Sequence, residues 1–157
     1  MDIIDTAVIP DKLAPEVSDH ARRYLASSGR DGHLTMGGVL PPAMQNVPSL
    51  LLVTQGRVSG RHYLMPLYYG SDAGRYVVIA SRGGAPEHPG WYANLAADPN
   101  VRIQVGERRM DALASSAAGD ERNRLWQMME QLYPPYRKYQ QRAAPRVIPV
   151  VVLTPKG

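Results

Sequence analysis

The pattern that most limits what this chain can fold into is a relay of short apolar runs broken by glycine turns. Ser49-Leu50-Leu51-Leu52-Val53-Thr54 is the first run, His62 to Tyr69 the second and Tyr76 to Ala80 the third. Gly56-Arg57-Val58-Ser59-Gly60 joins the first pair, and Gly70-Ser71-Asp72-Ala73-Gly74 joins the second. Runs of this length bounded by Gly read as strands, and links this short can only connect antiparallel neighbours. Val101 to Val105 alternates like a half-buried strand, and Gly106-Glu107 turns it into Met110 to Ala114. Val147 to Leu153 is a last strand, with Pro149 suggesting an edge or a bulge.

Helices fill the remainder. Pro15 to Ser28 opens with Pro at a first helical position and carries a modest stripe of Val17, Ala21, Tyr24 and Leu25. Pro89 to Ala97 is short and is ended by Asp98-Pro99. Gly119 to Leu132 has Leu125, Met128, Met129 and Leu132 as its apolar face. Pro134-Pro135 breaks it, and a shorter helix follows to about Ala143. Residues 1–14 show little pattern and read as a flexible arm, which leaves 15–157 as one domain. The loop from Gly29 to Pro48, with Gly32, Gly37, Gly38, Pro41 and Pro42, needs support from the rest of the fold.

Hairpins predominate and helices are inserted late. That is not the regular strand–helix alternation of a doubly wound fold, and no Gly-rich dinucleotide fingerprint follows the first strand. A small barrel of about six antiparallel strands with helices packed outside is the economical prediction, because closure removes exposed edges.

Composition narrows the chemistry. The 157 residues are 44% hydrophobic and 20% charged, enough for one core without disulfides or metals. There is no cysteine, so thiol nucleophiles and thiolate ligands are excluded, and a reducing compartment fits. No apolar run approaches a membrane span, and the start of the chain lacks a secretory pattern, so the cytoplasm is the expected location. The four histidines are scattered without metal-ligand spacing, and no nucleophile elbow is present. The net charge of +4 suits an acidic partner, but the arginines are spread along the chain and nucleic acid is not expected. Cofactor-borne chemistry fits what is left.

Four features could hold a cofactor and its substrate. In Gly56 to Gly60 the glycines let the backbone bend, and Arg57 with Ser59 can grip an anion; alone, an ordinary hairpin turn explains it better. Ser81-Arg82-Gly83-Gly84 follows a buried strand and allows close approach of a ligand, with Arg82 as a donor fork; a steric need for Gly explains it equally well. Trp91, Tyr92 and Asn94 offer flat faces and amide bonds, although for Tyr92 packing on the barrel is the better reading. Tyr133, Tyr136 and Tyr139 recur at helical spacing and suit a mouth for an aromatic substrate; half-exposed docking tyrosines are the competing account.

Taken in order, Gly56-Arg57-Val58-Ser59-Gly60, Met65-Pro66-Leu67-Tyr68, Ala80-Ser81-Arg82-Gly83-Gly84-Ala85, His88-Pro89-Gly90-Trp91-Tyr92-Ala93-Asn94-Leu95 and Asp98-Pro99 resemble the actinobacterial deazaflavin-dependent nitroreductases, also described as quinone reductases. The likeness runs from about Pro15 through Tyr133-Pro134-Pro135-Tyr136 to Ile148-Pro149. It implies a split β-barrel related to flavin-mononucleotide-binding oxidases. It implies coenzyme F420, with flavin mononucleotide as the less favoured cofactor, and hydride transfer to quinones, nitroaromatics or activated alkenes. On that resemblance Arg57, Val58 and Ser59 lie at the phosphate end. Tyr63, Leu64, Met65, Pro66, Leu67 and Tyr68, with Ile79, Ala80, Ser81 and Arg82, line the ring and linker. Gly90, Trp91, Tyr92, Ala93 and Asn94 belong to the same cofactor site, with Trp91 and Asn94 closing the pocket. Tyr136 reaches the deazaflavin side, while Tyr133, Tyr136 and Tyr139 meet the substrate. Ser81, Tyr68 and Tyr136 are the candidate proton donors.

Two departures stand out. Family members commonly carry Lys where this chain has Val58, and often a second basic residue where it has Tyr63. Arg82 stands in for a common Lys, and Arg61 is placed to compensate. These differences keep two other readings open: a protein that binds a cofactor or metabolite without turnover, and a non-redox biosynthetic catalyst on the same fold. Peripheral membrane contact through the helix bearing Arg22 and Arg23, and a homodimer by analogy of fold, complete the expectations.

Overall fold

The computed structural model describes residues 2–33 and 47–156. Most of the Gly29–Pro48 loop, residues 34–46, lies outside the described residues. The chain runs α1 (Ile3–Thr6), α2 (Pro15–Ala26), β1 (Ser49–Gln55), β2 (His62–Tyr68), β3 (Gly70–Asp72), β4 (Arg75–Ile79), α3 (Gly90–Ala97), β5 (Asn100–Val105), β6 (Arg108–Ser116), α4 (Gly119–Leu132), α5 (Tyr136–Ala143) and β7 (Val150–Pro155).

The seven strands of the described residues form one antiparallel sheet of order β2-β1-β5-β6-β7-β4-β3. The sheet curls into a barrel that stays unpaired between β2 and the β3–β4 hairpin. The predicted six strands become seven because Gly70 to Asp72, which reads as part of a turn, pairs with Arg75 to Val77. Only Ala73 and Gly74 remain as the turn, both at positive φ.

The apolar runs are explained by burial on two faces. Along β1, Leu50 and Leu52 point into the barrel, while Leu51 and Val53 lie under α1 and α2. Along β7, Val151 and Leu153 point inward, while Val150 and Val152 meet α4 and α5. A strand covered on both sides has no solvent face and loses its alternation. β6 has exposed residues between its buried ones and keeps it. Gly70 lets α4 sit close, since a Cβ there would stand 2.7 Å from the Met129 sulfur.

Residues 2–8 are packed on the barrel, where a flexible arm was expected for 1–14. Ile4 is fully buried beside Leu51 and Leu64. Asp2 bonds Arg102 at 2.6 and 2.8 Å, and Asp5 bonds Arg109 through two contacts of 2.8 Å. Val8 pairs with the outer edge of β2, accepting from Leu64 N–H at 2.9 Å and donating to the His62 carbonyl at 2.8 Å. This covers part of the β2 edge. Pro66 lies further along the same edge, where a missing N–H costs the ladder nothing.

The apolar side of α2, with Ala21 and Tyr24, is spent on β1 and β2. Among the described residues no helix is long and apolar enough to cross a membrane.

Candidate functional site

The turn between β1 and β2 and the start of α3 are locked together by one side chain. Asn94 is only 6% exposed. Its Oδ1 accepts from the Arg57 backbone N–H at 3.2 Å and from Arg57 Nη1 at 2.8 Å. Its Nδ2 donates to Thr54 Oγ1 at 3.2 Å. Arg57 Nη1 also reaches the Gly90 carbonyl at 3.4 Å. Nε and Nη2 of Arg57 have no partner among the described residues, so two sides of the guanidinium remain available to an anion.

The rest of the turn is built around Ser59. Its hydroxyl lies 3.1 Å from Tyr63 OH and accepts from the Arg61 N–H at 3.2 Å. The Tyr63 ring sits under Gly56, where a Cβ would stand 2.7 Å from it. Tyr63 thus packs the turn from below. Val58 is 92% exposed at the tip, and Arg61 is exposed beside it.

The second loop leaves β4 with Arg82, Gly83 and Gly84 all at positive φ. A Cβ on Gly84 would meet the Tyr139 carbonyl at 2.7 Å, so this loop rests directly on α5. Arg142 donates to the Gly83 carbonyl at 3.0 Å, and Arg82 pairs with Glu87 at 3.2 Å. His88 then lies 4.8 Å from Tyr92, ring to ring at a tilt of 54°, at the head of α3.

Four tyrosines form the third wall. The Tyr68 and Tyr133 rings are 4.9 Å apart, as are those of Tyr133 and Tyr136, and the hydroxyls of Tyr133 and Tyr139 lie 3.2 Å apart. Burial pushes the Tyr68 hydroxyl up to about 12, and it raises Tyr133 and Tyr136 as well. At neutral pH these groups keep their protons and can only donate them or share them. Contacts run without a break from Arg57 through α3, His88 and the Gly83–Gly84 loop to α5 and the tyrosines. The surface so made is a rim that joins the β1–β2 turn, the head of α3, the loop after β4 and α5.

Not every predicted residue presents its side chain there. Period-two alternation sends Leu64 to the opposite face, buried against α1 and α2, so only its backbone belongs to the β2 edge. Met65 and Leu67 point to the barrel interior, and Tyr68 to the tyrosine cluster. Ile79 packs under α4 and α5, while Ala80 faces inward. Trp91, 6% exposed, is part of the barrel core rather than an open aromatic face. Tyr92 turns its hydroxyl to Ser116 at 2.9 Å. Arg146, absent from the sequence reading, holds the Ser81–Ala85 segment through its carbonyls. Backbone acceptors leave no trace in a sequence, so no signal marked it. Among the described residues no group of His, Asp and Glu side chains could hold a metal.

Comparison with known proteins decides the lineage. Residues 20–155 match the model of a family described as F420H(2)-dependent quinone reductase. The chain belongs to the F420H(2)-dependent quinone reductase family. An F420H(2)-dependent quinone reductase of Mycobacterium tuberculosis is 39% identical over 138 residues, covering 86% of this chain and 87% of that protein. A second, putative one from the same organism is 39% identical over 110 residues, covering 70% and 92%. Among solved structures, an F420-H2 dependent reductase shares 38% identity with a TM-score of 0.62, over 68% of this chain and 93% of its own. A structure described as a domain-swapped dimer shares 34% identity with a TM-score of 0.65, over 87% and 95%. The haem storage protein HutZ of Vibrio cholerae, at 17% identity and a TM-score of 0.53, shares the fold alone. The quinone reductase family places the barrel among split barrels, which accounts for the unpaired side between β2 and β4.

Proposed function

We propose that this chain is an F420H2-dependent oxidoreductase that reduces a quinone, a nitroaromatic or an activated alkene, with coenzyme F420 as its cofactor. The observation that carries the reading is the Arg57–Asn94 lock on the same rim as the Ser81–Gly84 loop and the tyrosine cluster. It supplies an anion grip at one end and neutral hydroxyl donors at the other. The donor set suits a cofactor with a phosphate and a string of carboxylates: Arg57, Arg61, Arg82 and Ser59 are cationic or donating, and all are accessible. When bound, the reduced deazaflavin supplies the hydride.

The chain's own part is binding, orientation and proton supply. Arg57 and Ser59 hold the phosphate, with Arg82 adding a second cation. Met65 and Leu67, half-buried on the inner face of β2, give the apolar floor for a flat ring, with the backbone at Pro66 and Ala80 beside it, and Gly90 leaves open space beside Arg57, since a Cβ there would touch nothing within 4 Å. Ser81, Tyr68 and Tyr136 hold protons for the oxygen or nitrogen that becomes negative as the acceptor is reduced. Tyr133 and Tyr139 face the substrate. No side chain acts as a nucleophile; positioning carries much of the rate.

Purified protein titrated with F420, then mixed with F420H2 and menadione while cofactor absorbance is followed, tests the reading. Saturable binding and acceptor-dependent oxidation are expected. Binding without oxidation of F420H2 across a quinone, nitroaromatic and enone panel would instead mark a cofactor-binding protein, and absence of both would end the F420 assignment.

A further inference from the structure

Arg146 ties the rim together with unusual completeness. A guanidinium has five N–H groups, and here all five are used. Nε donates to the Ala85 carbonyl at 3.0 Å. Nη2 donates to the carbonyls of Ala85 at 2.7 Å and Ser81 at 2.8 Å. Nη1 donates to the Ala80 carbonyl at 3.2 Å and meets His88 Nδ1 at 3.0 Å. Every acceptor lies between residues 80 and 88, and no carboxylate pairs with Arg146 among the described residues. Side chains that merely decorate a surface do not spend a whole donor fork on one loop.

The contact with His88 has a further consequence. A guanidinium can only donate, so Nδ1 must accept with its lone pair, and the ring proton sits on Nε2. The His88 ring packs tilted against Tyr92, and His88 immediately precedes Pro89 and Gly90, where Arg57 docks. One arginine therefore reaches both the loop after β4 and the residue that leads into the segment where Arg57 docks.

We infer that Arg146 is the positioning residue of the cofactor rim: it fixes the Ser81–Ala85 backbone and holds His88 with its proton on Nε2, ready to donate to a bound ligand. The ligand in this statement rests on the F420 reading; the clamp itself does not. Lysine cannot replace the residue, because an ammonium has three donors at one point and no planar fork.

The test uses the full chain, 15N-labelled, as wild type, Arg146→Lys and Arg146→Gln. Ring 15N shifts of His88 report which nitrogen is protonated, F420 titration reports Kd, and circular dichroism checks the fold. Wild type is expected to show His88 as the Nε2–H tautomer alone. Arg146→Lys is expected to show a tautomer mixture, F420 binding weakened about tenfold, and KM for F420H2 raised more than kcat is lowered. An unchanged His88 tautomer in both folded variants, or F420 affinity within twofold of wild type, overturns the inference. If the variants do not fold, a wild-type His88 carrying its proton on Nδ1 overturns it alone. If wild type binds no F420, the functional reading fails while the tautomer measurement still decides the clamp.

Discussion

Asn94 separates the structural work of the rim from its charge, and two substitutions exploit that. Asn94→Ala removes an acceptor used twice by Arg57 and a donor used by the buried Thr54 hydroxyl. Each neutral bond contributes roughly 1 kcal/mol and a charged one roughly twice that, but exposed Arg57 recovers water, so the net loss is about 2–3 kcal/mol. Asn94→Asp has nearly the same shape. Its carboxylate keeps both bonds from Arg57 and can accept from the Thr54 hydroxyl, so the fold should survive with a smaller loss. Its charge, however, neutralises Arg57 at contact distance. Losing one charge-assisted bond to an anion, about 1.5–3 kcal/mol, weakens F420 binding roughly ten- to hundredfold. Urea unfolding measures the first effect and F420 titration the second. The expected pattern is a crossover: the Ala variant loses more stability, the Asp variant more affinity for each unit of stability lost. An Asp variant that binds F420 like wild type would show that Arg57 is not the anion grip.

Val58→Lys should raise F420 affinity several-fold in the same titration and leave unfolding midpoints nearly unchanged, because the tip side chain is 92% exposed. Gly84→Ala should destabilise the protein by at least about 2 kcal/mol and weaken F420 binding, since its Cβ strikes a backbone carbonyl; Gly83→Ala, with open space around it, should cost about 1 kcal/mol from positive φ alone. His20 is fully buried, and burial lowers its affinity for a proton from 6.5 to about 4. The unfolded chain therefore binds that proton first, so stability falls as pH drops from 6.5 to 4, by about 1.4 kcal/mol per unit and roughly 3 kcal/mol in all. Urea unfolding of His20→Gln across that window should show a shallower pH slope than wild type; parallel slopes would refute the assignment.

The sequence made some of this legible and hid the rest for physical reasons. β1 and the middle of β7 were readable because burial on both faces produces an uninterrupted apolar run, but β7 begins at Val150, after Pro149, and is an inner strand rather than an edge. β3 was not readable, because three residues flanked by glycine cannot be told from the turn they belong to. The packing of residues 2–8 was hidden because what holds it, Arg102 and Arg109, stands about a hundred positions away. The rim could be approached through the order of its motifs. The faces within it could not be read from that order: Leu64 sits in the middle of a motif yet turns away from the rim, and Trp91 is core. Arg146 was invisible because three of its four acceptors are main-chain carbonyls, which every residue has.

The strand order has a consequence for how the molecule is made. Among the described residues β4 pairs only with β3 and β7, and β2 reaches the rest of the sheet only through β1. The Arg57 turn hangs from one of these groups and the Ser81–Gly84 loop from the other. β7 is the strand that pairs with both β6 and β4, and of these strands it is the last in chain order to leave the ribosome. Until Val150 to Pro155 is synthesised, a nascent chain holds two partial sheets with no paired joint between them. The cofactor rim is therefore among the last features to form, and F420 added during translation should protect the chain from protease only after β7 has emerged.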